Sequence, residues 1–419
     1  MRTHWVVSLC GALAICLPAV AAETATSYSL NELRELARSA HPTLESAEAA
    51  VAAAAGSLRE ARAYPNPGLS VTSGRGRPRD GGDSRSETAI ELAQPIELPG
   101  ARRWRRRLAE LGAQGAALDR EVVRAMIDTT VTRLAYTELL ERRRAEIVEE
   151  SVRIAARLLE LLDRRVELGE SSPLEAVKAR SEWFARRSEV VDVNRSLAAT
   201  RSALNLVCGG RLSRSFEIAE TLEGPGAIPL PPGLAERLRE RSPVLMRSGL
   251  AVEEARAHIE AARKERFPRF DVIAAHETEL DKTATSLGVG LTIPLWNRGS
   301  GRVAAATAGQ VRADADRRGA TRELETALAR AVAAYEGARS AIGLHEEGWT
   351  DTAEQALAIA TFSYENGEAS LLDVLDAQRS YLGVRSAEAE SWAALALARV
   401  EIEQLLDGPL QPEKTDETR

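Results

Sequence analysis

The second half of this 419-residue chain repeats the punctuation of the first at an offset of about 200 residues. Pro42 in "SAHPTL" falls on Pro243 in "ERSPVL", and "YPNPGLSV" falls on "RFPRFDV", with Pro67 over Pro268. "QPIELPGARR" meets "IPLWNRGSGR", which sets Pro95 over Pro294 and Gly100 over Gly299. Gly169 falls on Gly367, and the "LVCG" closing the first half falls on "LLDG", Gly209 over Gly408. A period this long is an internal duplication, because solenoid units run from about 20 to 50 residues. Whatever the fold is, it is built twice.

Each unit has the same internal order. Residues 44–63 and 244–266 are rich in Ala, Glu and Arg and predict helices that end at Pro65, Pro67 and Pro268. After those prolines the period switches to two. Leu287, Val289, Leu291 and Ile293 alternate with Ser286, Gly288, Gly290 and Thr292, and Phe270, Val272 and Ala274, Leu69 with Val71, and Ile90 with Leu92 follow suit. Alternation of this kind makes a strand with one apolar and one polar face. Each repeat therefore contributes a hairpin, with polar links at 74–85 and 276–283.

Residues 101–168 and 301–364 contain no proline. Leu108, Leu111, Gly115, Leu118, Val122, Ala125 and Thr129 step by threes and fours, as do Ile147, Ser151, Ile154, Leu158 and Leu161. This is a coiled-coil stripe with many small residues, suited to close helix packing. At 1.5 Å per residue, helix over 101–168 would reach roughly 100 Å. Aromatic residues at 4% of the chain suit such rods better than a compact, ring-filled core. The formal charge of −7 argues against nucleic acid as a partner, and the arginines at 102–107 read as a solvated helix face.

The first 22 residues, with one Arg, an apolar run over 5–17 and "VAA" before Glu23, read as a cleavable secretory signal peptide. The run is too short to span a bilayer as a helix. Ile15 is a poor residue before an acylated cysteine, which argues against lipidation at Cys16. Cys10 and Cys16 leave with the signal, so Cys208 is alone in the mature chain and reads as a small buried hydrophobe at a helix end.

Four half-apolar strands in an exported chain point to an outer-membrane barrel wall, since lipid excludes open sheet edges. Four strands do not close by themselves, because the smallest such barrels have about eight. Several copies must share one barrel, and the rods would continue it as a helical cylinder. The expected layout is a signal peptide at 1–22 and a first repeat at 23–209. That repeat has strands at about 68–74 and 86–96, a long helix over about 101–168, a turn at 169–172 and a helix over 173–207. A linker covers 210–242. The second repeat, 243–408, has strands at about 269–277 and 284–294, a long helix over about 300–366, a turn at 367–370 and a helix over 371–406. A disordered tail follows at 409–419.

On "QPIELPGARR", "IPLWNRGSG", "ENGEASLLDVLDAQRSYL" and the duplicated helix–hairpin–helix order, the chain resembles the TolC-type outer-membrane efflux channels over almost all its mature length. The two corner sequences are most similar to the CzcC-like heavy-metal branch. The resemblance implies an α+β, mostly α fold, a homotrimer with a twelve-stranded barrel in outer-membrane lipid, and a long periplasmic α-barrel. It also implies docking to a periplasmic adaptor and an inner-membrane resistance-nodulation-division pump, with no enzymatic activity and no cofactor. Pro95, Pro99, Gly100, Pro294, Trp296 and Gly299 become the strand-to-helix corners.

Gly169 and Gly367 follow long helices and suit the left-handed position that ends them. "SPLE" at 172–175 and "SLLD" at 370–373 read as capping boxes, the first with Pro173 at the favoured first helical position. Each stretch is thus a tight turn between antiparallel helices. In the resembled family these turns are the periplasmic tip and the adaptor-docking surface, here Gly169, Glu170, Ser171, Ser172, Gly367, Glu368, Ala369 and Ser370. Asp373 doubles as a helix cap. Asp376 lies one turn on, while Leu372 and Leu375 are expected to pack. The resemblance implies that Asp373 and Asp376 line the pore constriction, six carboxylates in a trimer. Their first-repeat counterparts, Glu175 and Lys178, have diverged. His41, His258, His276 and His345 form no ligand spacing, so no metal site is expected on the chain. Two rival readings remain, a type I secretion channel and a periplasmic coiled-coil scaffold.

Overall fold

The computed structural model describes residues 26–79, 81, 83–223, 228–280, 282–408 and 410. The expected signal peptide lies outside the described residues. In chain order the elements are β1 Thr26–Tyr28, α1 Leu30–Ala40, α2 Pro42–Arg62, β2 Gly68–Gly76, β3 Arg85–Ile96, α3 Pro99–Glu167 and α4 Pro173–Val207. They continue with β4 Phe216–Ile218, α5 Leu234–Arg241, α6 Pro243–Lys264, β5 Arg269–Thr278, β6 Thr283–Thr292, α7 Ser300–Glu346, α8 Trp349–Glu365 and α9 Leu371–Leu406.

The hairpins β2–β3 and β5–β6 join into one antiparallel sheet of order β2-β3-β5-β6. Its register settles the faces. Leu69 pairs with Leu92 and Val71 with Ile90; Leu92 pairs in turn with Ala274 and Ile96 with Phe270; Ala274 meets Leu287, Val272 meets Val289 and Phe270 meets Leu291. Period-two alternation then puts all of these on one face. The other face carries Ser70, Thr72, Glu87, Glu91, Asp271, Glu277 and Ser286. The apolar face is bare: Leu69, Val71, Leu287 and Val289 are between 64% and 81% exposed.

The rods carry the packing. The 69-residue α3 touches α1, α2, α4, α6 and α9 along its length. Gly115 of the expected stripe sits where α6 crosses: a β-carbon there would lie 3.2 Å from Arg247 Cζ and from Glu254 Oε1. Two similar cores form at mid-rod. One gathers Leu33, Ile127, Val131, Leu204, Cys208 and Phe216, and the other Leu238, Leu328, Tyr335, Leu395, Ile402 and Leu406. Each fully buried aliphatic side chain in them contributes about 1.5–3 kcal/mol. Cys208 is fully buried at the end of α4, and burial pushes its thiol up to about 11.

Four sequence expectations change. The stretch at 210–242 is more than a linker: it holds α5 and β4, the latter paired in parallel with β1. Leu410, assigned to the disordered tail, is buried in the second mid-rod core. The left-handed residue that ends α9 is Asp407, one position ahead of Gly408; a short polar side chain tolerates that conformation. Finally, the helix expected over about 300–366 is two helices. Gly348, at φ +101, separates α7 from α8. The imidazole of His345 stacks on Trp349 at 4.9 Å and its Nδ1 lies 3.0 Å from Thr350 Oγ1, fixing the joint. Counting only prolines as helix breakers overlooked a glycine.

A β-carbon at Gly348 would meet no atom within 4 Å, so Gly348→Ala tests backbone strain alone. It should destabilise the protein by about 1–2 kcal/mol in chemical denaturation. Gly343→Ala, inside α7 with equally open space, should stabilise it by about 0.5–1 kcal/mol.

Candidate functional site

The two helix turns share one structure. At the end of α3 the Glu170 N–H donates to Arg165 O at 2.8 Å and the Gly169 N–H to Val166 O at 3.0 Å. At the end of α8 the Glu368 N–H donates to Ser363 O at 2.8 Å and the Gly367 N–H to Tyr364 O at 3.1 Å. Both are Schellman closures, which need a left-handed residue at the turn. Gly169 at φ +75 and Gly367 at φ +78 supply it. Each chain then restarts at a serine. The Ser370 Oγ accepts from Asp373 N at 3.3 Å, and the Ser370 N–H and O–H donate to Asp373 Oδ2 at 2.8 and 2.7 Å. This is a complete capping box.

The first turn departs from that pattern. Ser172 Oγ accepts from Leu174 N at 3.2 Å and no box forms with Glu175. The Glu175 carboxylate acts on Tyr364 of the other repeat instead, adding to the burial that raises the Tyr364 phenol.

The turns pack against each other. Leu158, Leu162, Ala176, Ala179, Tyr364, Leu371 and Val374 form one buried cluster from both repeats. Arg165 pins them: its Nη1 donates to Tyr364 O at 3.0 Å, its guanidinium lies 5.4 Å from the Tyr364 ring, and its Nε is 3.8 Å from Glu170 Oε2. About two turns along the helices from this cluster, the Tyr381 hydroxyl donates to Glu150 Oε1 at 3.0 Å and accepts from Arg385 Nη1 at 2.8 Å. Sequence reading missed Arg165, Tyr364 and Tyr381. Among so few aromatics, two tyrosines flanking the "NGEAS" turn were the available signal.

This packing also corrects the helical face. Leu371 and Val374 are buried and Leu375 is partly so, whereas Leu372 is 64% exposed. Asp373 and Asp376 are both exposed. Their environments differ. The Ser370 hydroxyl first, and its backbone N–H second, hold the Asp373 carboxyl below the usual carboxylate range. Among the described residues Asp376 contacts only Arg379, at 3.8 Å, and its side chain is 84% exposed.

The corners differ as well. Pro95 is paired with Asp271 where β3 has run past the end of β2, so a residue without N–H is tolerated there. Pro99 opens α3, and a β-carbon on Gly100 would meet Lys264 Cδ at 3.1 Å. Arg105 grips Glu97 through both terminal guanidinium nitrogens. In the second repeat Pro294 follows the end of β6, Trp296 is 95% exposed, and Gly299, at φ +68, precedes α7 with its N–H donating to Asn297 Oδ1 at 3.1 Å.

A duplicated pair of hairpins carried on coiled rods, with an apolar sheet face, defines an outer-membrane channel subunit. The chain belongs to the outer membrane efflux protein family, whose model matches residues 33–210 and 234–408. It is thus an efflux channel protein and no enzyme. It is 28% identical over 380 residues to the cobalt-zinc-cadmium resistance protein CzcC of Cupriavidus metallidurans, covering 88% of this chain and 89% of that one. It is 23% identical over 278 residues to the cation efflux system protein CusC of Escherichia coli, 63% of this chain and 60% of the relative. A crystal structure of CusC superposes with TM-score 0.80 at 20% identity, covering 91% of this chain and 92% of that one. The CmeC outer membrane channel of Campylobacter jejuni gives 0.80 at 16% identity, over 99% and 95%.

A depressed folded-state pKa means that the Asp373 cap contributes above the unfolded value, about 3.9, and is lost as pH falls through the lowered folded value. Carbon-13 titration of Asp373 should therefore give a pKa below the ordinary range, and Ser370→Ala should bring it back up. An unchanged value in the variant would remove the capping explanation.

Proposed function

We propose that three copies of this chain form a passive exit duct for heavy-metal cations, a twelve-stranded barrel in the outer membrane continued by a helical cylinder in the periplasm. The observation that carries the reading is the four-stranded sheet with one bare apolar face and two unpaired edges, β2 and β6. In lipid each unpaired backbone group costs several kcal/mol, and pairing β6 of one copy with β2 of the next removes the edges. The exposed apolar side chains then meet hydrocarbon. A periplasmic scaffold has no use for such a face.

The two turns form the periplasmic tip, where Gly169, Glu170, Ser171, Ser172, Gly367, Glu368, Ala369 and Ser370 dock a periplasmic adaptor, and an inner-membrane resistance-nodulation-division pump drives transport. Asp373 and Asp376 line the constriction. Their exposure supports this, and six carboxylates around a threefold axis would attract cations. Cobalt, zinc and cadmium appear in the name of one relative and cations in that of another. That favours metal cations over a secreted polypeptide as cargo.

The protein should fractionate with outer membranes and purify in detergent as a trimer; recovery as a soluble monomer would overturn the duct. In planar bilayers Asp376→Asn should lower cation preference and weaken block by multivalent cations without affecting trimer stability. Adding Asp373→Asn should abolish most of the remaining preference. Unchanged selectivity in the double variant, on verified trimers, would put these acids outside the pore.

A further inference from the structure

The arginines at 102–107 are not evenly committed. Arg102 donates to Arg62 O at 2.8 Å and lies over the Tyr64 ring at 3.7 Å. Arg105 donates to Ala63 O at 3.0 Å and holds Glu97, and Arg107 reaches Glu253 at 3.2 Å. These three are structural. Arg103 has no carboxylate partner among the described residues, and Arg106 has only Glu110 at 3.9 Å. At the second corner Arg302 pairs with Glu265 at 3.0 Å, while Arg266 and Arg298 are exposed and have no carboxylate partner among the described residues.

The placement of this charge is unusual on two counts. Neither α3 nor α7 has an acidic residue in its first turn, so the guanidinium groups crowd the positive ends of two long helix dipoles, an arrangement that favours a bound anion over an empty surface. The charge also lies at a defined depth. The apolar face runs on past Leu291 to Ile293 and Leu295, 55% and 58% exposed, α3 begins three residues after Ile96, and Arg103 and Arg106 lie about 6 and about 10 Å into it at 1.5 Å per residue. The headgroup layer on each side of a hydrocarbon core is about 5–8 Å thick. Tyr64 at 72%, Phe267 at 54% and Trp296 at 95% exposure occupy the same level, where amphipathic rings prefer the membrane interface.

We propose that the two strand-to-helix corners form a cationic, aromatic collar that binds anionic phospholipid headgroups of the periplasmic leaflet through Arg103, Arg106, Arg266 and Arg298. The inference rests on the reading of the sheet as a barrel wall. Charge complementarity selects the occupant: a chain of net charge −7 concentrates uncompensated guanidinium groups at the level where lipid phosphates lie, and a guanidinium fork matches phosphate oxygens in two-point contact.

The test is native mass spectrometry of the full-length protein in detergent, with dioleoylphosphatidylglycerol and dioleoylphosphatidylcholine as competing probes. The wild type should retain phosphatidylglycerol preferentially. Each arginine removed should weaken that preference about fivefold, and R103Q/R106Q/R266Q/R298Q should lose it almost wholly. R317Q/R318Q, which removes the same type of charge from mid-α7, should leave it intact. Should the quadruple variant fail to assemble, R103Q/R106Q and R266Q/R298Q are each expected to reduce the preference at least tenfold. Equal retention of the two lipids by wild type, an unaltered preference in the variants, or an equal loss in R317Q/R318Q would overturn the collar. A soluble wild-type monomer would overturn the barrel itself, whereas an outer-membrane trimer without lipid preference removes only the collar.

Discussion

Backbone hydrogen bonding along the outer edges of β2 and β6 governs the rest of the structure. A sheet of four strands buries neither its edges nor its apolar face by itself, and no rearrangement within one chain supplies the missing partners. The rods inherit this constraint. Each must leave the sheet in the direction its strand was travelling, so the corners are built from residues that fix backbone direction: Pro99 at the start of α3 and a left-handed Gly299 before α7. Once the rods run side by side, the packing that a compact domain would collect in one core is spread into a series of clusters along their length.

Much of this was legible in the sequence because the signals were long or repeated. Period-two alternation over residues 286–293 is an unambiguous strand pattern, and prolines in matching places of two repeats are hard to produce by chance. What escaped reading depended on a single residue or on contacts between distant segments. The break between α7 and α8 rests on one glycine in a stretch whose composition otherwise favours helix. The packing face of α9 was misjudged by one position, since Leu371–Val374 and Leu372–Leu375 have the same spacing, and only the location of Tyr364 and Ala176 decides between them. Arg165 was invisible for the same reason, because its partner is the Tyr364 carbonyl 199 residues away.

The tip shows how duplication separates roles. Both copies keep the glycine that closes the first helix and the serine that opens the second. Past that point they diverge. In the second copy Asp373 completes a reciprocal cap and Asp376 keeps a 3.8 Å contact with Arg379, whereas in the first no box forms at Glu175 and Arg165 joins the two turns through the Tyr364 carbonyl. A carboxylate that shapes the turn and one held only by an ion pair thus stand one helical turn apart on α9, distinguishable by their hydrogen bonds.

The interruption at Gly348 has a mechanical consequence. In the first repeat α3 is a single strut, with a hydrogen-bond ladder that runs unbroken from the sheet to the turn. In the second repeat α7 and α8 are two shorter members meeting at Gly348, whose φ of +101 breaks the helix. Torque applied at the helix turns is therefore carried to the sheet through α3, and relief of that torque is cheapest at residues 347–348, where few dihedrals must change. The subunit is stiff along one rail and articulated along the other.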